Sequence, residues 1–228
     1  MTSVGTAVLA LVPSRDEEDR VGETVRGLRR IPSVDEIVVV DGGSADGTVR
    51  EALAAGARVV ASSRRAGKGE AMEGALWRLP AATVYVFADA DLGSSAAFLE
   101  PLIEEVRSGR VDMAVAALPE PPSGGFGLVK DAARRVIRGL TGFDPREPLS
   151  GQRAMTAECL RACRPISGGF GVEIGLTIDA VRMGFRVVEF PAAVEHRYTS
   201  RDLAGFAHRG RQGIDATRAA VPRALAMR

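Results

Sequence analysis

Between Thr6 and Leu118 the chain switches period again and again. Short apolar runs of strand length alternate with segments whose apolar residues fall three and four apart. "TAVLALVP", "DEIVVVD", "ARVVAS", "TVYVFADADL" and "VDMAVAAL" read as strands. Between them, "DRVGETVRGLRR", "SADGTVREALAAG", "KGEAMEGALWRL" and "SSAAFLEPLIEEVRSG" read as helices, the first with Val21, Val25 and Leu28 on one face. Gly56 suits a helix C-cap and Pro80 a helix stop. Strands that are apolar along their whole length, alternating with helices, predict an α/β fold with a mostly parallel sheet covered on both faces.

The rhythm breaks near Leu118, where "LPEPPSGGFG" predicts a loop. A helix from about Leu128 to Leu140 follows, then a loop and short strand in "TGFDPREPLSGQRAM". "VEIGLTIDAVRMG" predicts another helix, "FRVVEFPAAVEHRY" a strand pair interrupted by Pro191, and the arginine-rich end a basic amphipathic helix. No linker divides the chain, so 1–228 is expected to form one domain with two halves, 1–117 and 118–228.

Charge excludes little by attraction: 30 Lys and Arg face 29 Asp and Glu, which gives no global pull toward nucleic acid or a membrane. The two cysteines, Cys159 and Cys163, share a predicted helix face and read as packing residues in a reducing compartment. The opening stretch has no basic leader, and its apolar run is broken by Pro13, so a cytoplasmic protein without a transmembrane segment is expected.

Polar chemistry gathers where the predicted strands end. The first strand runs into "PSRDEED", the second into "DGGS", the third toward "GKGE" and the fourth into "DAD". Ligands of open parallel sheets bind beyond the carboxyl ends of the strands, so these four sets should meet in one crevice. Asp41 is placed to accept from a base N–H or a ribose hydroxyl. Asp46 has two readings, a ligand residue or a helix cap. "AGKGE" combines a flexible turn, exposed N–H groups and the Lys68 cation at a helix start, which suits phosphate. It is not a P-loop, because Gly69 stands where Ser or Thr is required. Asp89 and Asp91 are two close carboxylates that need a cation, and hard divalent ions prefer such oxygens.

Taken together, "VPSRDEED", "VVVDGGSADGT", "GKGEAMEGA", "FADADL", "SGQRAM" and "GFGVEIGLTID" resemble the GT-A glycosyltransferases, especially family 2-like enzymes. The second half is similar to glucosyl-3-phosphoglycerate synthases, and the core to polyprenyl-phosphate sugar transferases. The resemblance implies a GT-A, Rossmann-like α/β/α sandwich and a hexosyltransferase using a nucleoside diphosphate sugar, UDP more commonly than GDP, with Mg2+ or Mn2+. It puts the nucleotide in the first half and the acceptor, small or lipid-linked, in the second. Pro13, Ser14, Arg15 and Glu17 would line the base and ribose, completed by Asp41 and Ser44. Gly67 and Lys68 would reach the diphosphate, and Asp89 and Ala90 the ribose or sugar. Asp91 would hold the metal, with His196 as a further ligand or else an ordinary strand-edge histidine. Gly151, Gln152 and Arg153 would sit near the sugar or acceptor. Glu173 would bind sugar hydroxyls or act as a base, or else serve only the helix dipole. Asp91, Glu173 and Lys68 form the expected catalytic set.

The chain departs from the phosphoglycerate synthases at one point. Where they carry a Gly-Gly-Arg-type motif for the acceptor phosphate, it reads "SGGFGLVKD", with Phe126 and Gly127 in the region and Lys130 the next cation. Family 2 relatives invert and the phosphoglycerate relatives retain, and the sequence leaves both outcomes open. Two rivals are a nucleotide-sugar-binding protein without turnover and a sugar-1-phosphate nucleotidyltransferase. The second would need a glycine-rich loop after the first strand, which "LVPSRDEED" lacks. The arginine-rich end reads as a solvated helix face, as a peripheral contact with phosphate or an anionic membrane, or as a lid of Arg197, Arg201, His208 and Arg209. No nucleic-acid partner is expected, and a homodimer is left open.

Overall fold

The computed structural model describes residues 7–62, 67–117, 127–166, 168 and 171–194. Its seven strands are β1 (Val8–Ser14), β2 (Glu36–Asp41), β3 (Arg58–Ala61), β4 (Val84–Phe87), β5 (Met113–Ala117), β6 (Arg153–Thr156) and β7 (Val187–Pro191). They form one sheet in the order β3-β2-β1-β4-β6-β5-β7. The helices are α1 (Val21–Leu28), α2 (Thr48–Ala54), α3 (Lys68–Leu76), α4 (Glu100–Arg107), α5 (Gly127–Thr141), α6 (Ala157–Ala162) and α7 (Gly171–Arg182).

Strand composition explains the layering. Along β1, Val8, Ala10 and Val12 enter one core with Val21, Val25 and Leu28 of α1 and Leu102, Ile103 and Val106 of α4. Leu9 and Leu11 point the other way, into a second core with Met72 of α3 and Val172 and Leu176 of α7. The alternation repeats on β2, where Ile37 and Val39 face the first core and Val38 and Val40 the second. A strand apolar at every position can only be satisfied by a helical layer on each side. A third, smaller cluster joins Ala133 and Ile137 of α5 to Ile174 and Ile178 of α7.

The sheet is mostly parallel, as expected, with one exception. β6 pairs antiparallel to both β4 and β5, opposing Phe87 to Arg153. β1 pairs parallel with β2 on one side and β4 on the other, so the strand order reverses between β1 and β4. Such a switch point opens a crevice at the carboxyl edge. The ends of β1, β2 and β4 lie on that edge, and the antiparallel run of β6 brings the start of that strand to it as well.

Two elements differ from the sequence expectation. The single helix expected over "SSAAFLEPLIEEVRSG" is a 3-10 segment, Gly93–Leu99, followed by α4 with Pro101 in its first turn. Proline has no N–H to give to a preceding turn and fits only at a helix start, so a new helix begins there. Beyond α7 there is one described strand, β7, ending at Pro191. Of the second member of the expected pair, residues 192–194 are described and are not strand; its remainder, the loop at 118–126 and the C-terminal helix with Arg197, Arg201, His208 and Arg209 lie outside the described residues. No helix among the described residues is long and apolar enough to cross a membrane.

Cys159 and Cys163 are buried and unbridged. The neighbouring Cys163 thiol, together with burial, raises the Cys159 pKa, which keeps it a protonated packing group.

Candidate active site

Two loops line the β1–β2 side of the crevice, and their own side chains lock them together. Asp16, at φ 55, accepts from the Ala45 amide at 2.7 Å, while its own amide donates to Ser44 Oγ at 3.0 Å. The Glu17 amide donates to Thr48 Oγ1, the Glu18 amide to Asp46 Oδ2, and the Gly47 amide to Glu18 Oε2. Asp46 also accepts from the Thr48 amide at 3.0 Å, so its carboxylate joins the loops and serves the start of α2. Asp41 is buried and folds back on its own loop, accepting from the Gly43 and Ser44 amides and the Ser44 hydroxyl. Gly43 carries the positive φ of 85° this turn needs. Pro13 is half-buried and Arg15 exposed at the mouth. Ser14 Oγ is buried with no hydrogen-bond partner among the described residues.

The β4–β6 side carries the charge. Lys68, in the first turn of α3 after the exposed Gly67, places Nζ 2.7 Å from Asp89 Oδ1 and 2.8 Å from Glu173 Oε1. Gln152, fully buried, donates from Nε2 to Asp89 Oδ2 at 2.7 Å. Gly151 is required beside it, because a Cβ there would lie 2.6 Å from Asp89 Oδ2. Segments far apart in the chain, following β4, opening α3, preceding β6 and opening α7, thus converge on the Lys68–Asp89 pair. Burial alone would lower the pKa of Lys68, but the carboxylates of Asp89 and Glu173 outweigh it and raise that pKa above its ordinary value.

Arg153 occupies a different place from the one its motif suggests. Only 1% exposed, it donates to the carbonyls of Ser150 and Glu173 and to Thr177 Oγ1, so it lies beneath the crevice rather than lining it. Burial pushes its pKa down, while the nearby Glu173 and Asp89 hold it up. The strand β4 stops at Phe87, and Ala90 and Asp91 form a turn. The alternation of a strand therefore does not govern the two acids: Asp89 is spent on Lys68 and Gln152, whereas Asp91 sits half-buried in the turn.

Among the described residues no group of three His, Cys, Asp or Glu side chains is gathered to hold a metal. His196 lies outside the described residues. Two polar residues behind the site went unnoticed in the sequence: Thr24 and Thr48, both fully buried. Thr24 had a legible signal, a hydroxyl on the apolar face that Val21, Val25 and Leu28 define.

A parallel sheet with one reversed strand, a switch-point crevice, and a lysine–carboxylate cluster beside an acidic turn define the GT-A class of nucleotide-sugar enzymes. Residues 10–155 match glycosyl transferase family 2. The chain belongs to that family and is a glycosyltransferase. It is 31% identical over 240 residues to the glucosyl-3-phosphoglycerate synthase of Mycolicibacterium paratuberculosis, covering 92% of this chain and 71% of that protein. It is 28% identical over 208 residues to the undecaprenyl-phosphate mannosyltransferase of Micrococcus luteus, covering 83% and 84% of the two chains. The crystal structure of Mycobacterium tuberculosis glucosyl-3-phosphoglycerate synthase in complex with Mn2+, UDP-glucose and phosphoglyceric acid superposes with a TM-score of 0.77 at 27% identity, covering 95% of this chain and 80% of that one.

Proposed function

We propose that this glycosyltransferase moves a hexosyl group from a UDP-sugar, bound with Mn2+ or Mg2+, to an acceptor that carries a phosphate. The carrying observation is the Lys68 ammonium held between Asp89 and Glu173 at the carboxyl edge of the sheet. The donor and metal follow the complex of the mycobacterial synthase. A phosphate on the acceptor is what the names of the two kinds of relative share.

Residues 1–117 form the donor half in this reading and 118–228 the acceptor half. Pro13, Ser14, Arg15 and Glu17, with Asp41 and Ser44, surround the base and ribose, and the unpartnered Ser14 hydroxyl is the group a nucleoside would satisfy. Gly67 and Lys68 face the diphosphate. An ammonium has three N–H donors and two serve the carboxylates, leaving one for a phosphate oxygen. Asp89 and Ala90 approach the ribose and sugar, with Gly151, Gln152 and Glu173 on the sugar side and Arg153 supporting Glu173 from below.

The residues fit a divalent ion. Mg2+ is commonly held by one or two carboxylates plus substrate phosphates, and Asp91 supplies one carboxylate, with His196 as the further candidate. When bound, such an ion neutralises charge on the departing phosphate. Lys68 adds a second, fixed cation on that side as the bond breaks. Glu173, beside the sugar, favours a cation-like anomeric carbon.

The test is UDP release from UDP-glucose with Mn2+, using 3-phosphoglycerate or a polyprenyl phosphate as acceptor. Wild type should release UDP with one of them, and Asp91→Asn should lose at least about 100-fold of that rate. A folded wild type that binds UDP and Mn2+ yet releases nothing with either acceptor would favour the binding protein without turnover.

A further inference from the structure

The acidic turn that carries Asp91 is held from behind by helix α1. Thr24, fully buried, donates its hydroxyl to the Ala90 carbonyl at 2.7 Å and accepts from the Gly93 amide at 2.8 Å. These two groups belong to the peptide immediately before Asp91 and the one following Leu92. One hydroxyl therefore brackets the backbone torsions of Asp91 and Leu92. Three more features press the same turn into place. Leu92 is buried in the core that α1 builds. Gly93 takes a positive φ of 57°. Gly27, one helical turn beyond Thr24, lets the turn approach so closely that a Cβ there would lie 2.8 Å from the Gly93 carbonyl oxygen and 3.2 Å from that of Ser94.

A threonine hydroxyl fully enclosed on an apolar helix face is costly unless both its donor and acceptor capacities are used, and here both are. A valine of the same shape would serve packing equally well. The hydroxyl is the one chemical feature valine lacks, and it acts only on the turn. We infer that Thr24 is a positioning residue for the metal-holding carboxylate: it fixes the Ala90–Gly93 turn so that Asp91 is presented to the ion in a single geometry, with Gly27 giving the turn room to seat. This rests on the proposal that Asp91 holds the metal.

Groups that orient a metal ligand typically change metal affinity by about 10- to 100-fold when removed. The experiment is a Mn2+ titration, read by the EPR signal of free Mn2+, on full-length wild type, Thr24→Val, Thr24→Ser and Gly27→Ala, with saturating UDP and at a temperature where circular dichroism shows each protein folded. Thr24→Val should weaken Mn2+ binding by about 10-fold or more, and Thr24→Ser, which keeps the hydroxyl, should restore it. Gly27→Ala disturbs the turn from the other side and should weaken Mn2+ binding too, which keeps the test decisive if Thr24→Val does not fold. A purely structural threonine would lower the melting temperature and leave the Mn2+ affinity of the folded protein unchanged. Wild-type Mn2+ affinity in the folded variants overturns the inference alone. A wild type that binds no Mn2+ with UDP overturns the metal-dependent function and the inference together.

Discussion

Replacing Lys68 by Met isolates the charge cluster. The ammonium sits 2.7 and 2.8 Å from two carboxylate oxygens, and its side chain and that of Asp89 are 25% and 28% exposed, with Glu173 at 7%. At an effective dielectric near 20, each contact carries roughly 6 kcal/mol of gross attraction, most of it offset by desolvation. Removing one partner of a buried pair costs about 3–5 kcal/mol, and the partial exposure here argues for about 3 kcal/mol. Lys68→Met leaves Asp89 and Glu173 near each other without their cation, so a second substitution, Glu173→Gln, should recover part of the loss. Urea unfolding of the two single variants and the double variant at pH 7.5 should give a coupling of about 2 kcal/mol. The raised pKa of Lys68 means its contribution is complete below the unfolded value of 10.5 and is lost as pH climbs through the higher folded value. Additive single-variant effects, within about 0.5 kcal/mol, would refute the view that one cation organises both carboxylates.

Other outcomes follow from the same geometry. Gly151→Ala pushes a methyl into a carboxylate pinned by Lys68 and Gln152, and displacing it by about 1 Å should cut UDP release by roughly 100-fold while circular dichroism stays native. Glu73 accepts from Arg164 at 2.7 and 2.9 Å and from the Ile166 amide at 3.0 Å, so Glu73→Ala should lose about 2 kcal/mol in urea unfolding. Burial opposes it, but Arg164 and that amide lower the pKa of Glu73 below 4.5. Its stabilisation is therefore present above pH 4.5 and lost on acidification, and the alanine variant should show a shallower acid limb.

The layered α/β scaffold was legible because β1 and β2 are apolar on both faces, a pattern with one physical solution. The direction of β6 was not: four residues, "RAMT", carry no signal of polarity along a sheet. The crevice was legible because its acids interrupt strand ends, but their partners were not. Lys68 and Glu173 lie 105 residues apart, so only the topology could join them. The family resemblance put Arg153 near the sugar or acceptor, and the carbonyls of Ser150 and Glu173 with Thr177 Oγ1 hold its side chain buried instead. Asp46 showed the reverse: both of its readings were open in the sequence, and the structure spends its carboxylate on the loops and the start of α2.

The two acids of "DAD" are held in different ways, and the difference follows from where the strand ends. An acid on the last strand residues would share its orientation with its neighbour two positions on, and two carboxylates side by side would repel. Here β4 stops at Phe87, so the backbone turns between the acids. Asp89 is restrained from three directions, by Lys68, Gln152 and the absence of a side chain at Gly151. Asp91 is restrained through its backbone, by the Thr24 hydroxyl on either side of it. A carboxylate fixed through its own oxygens organises the protein. One held through its backbone is presented in a single place, which is what the metal role proposed for Asp91 requires of it.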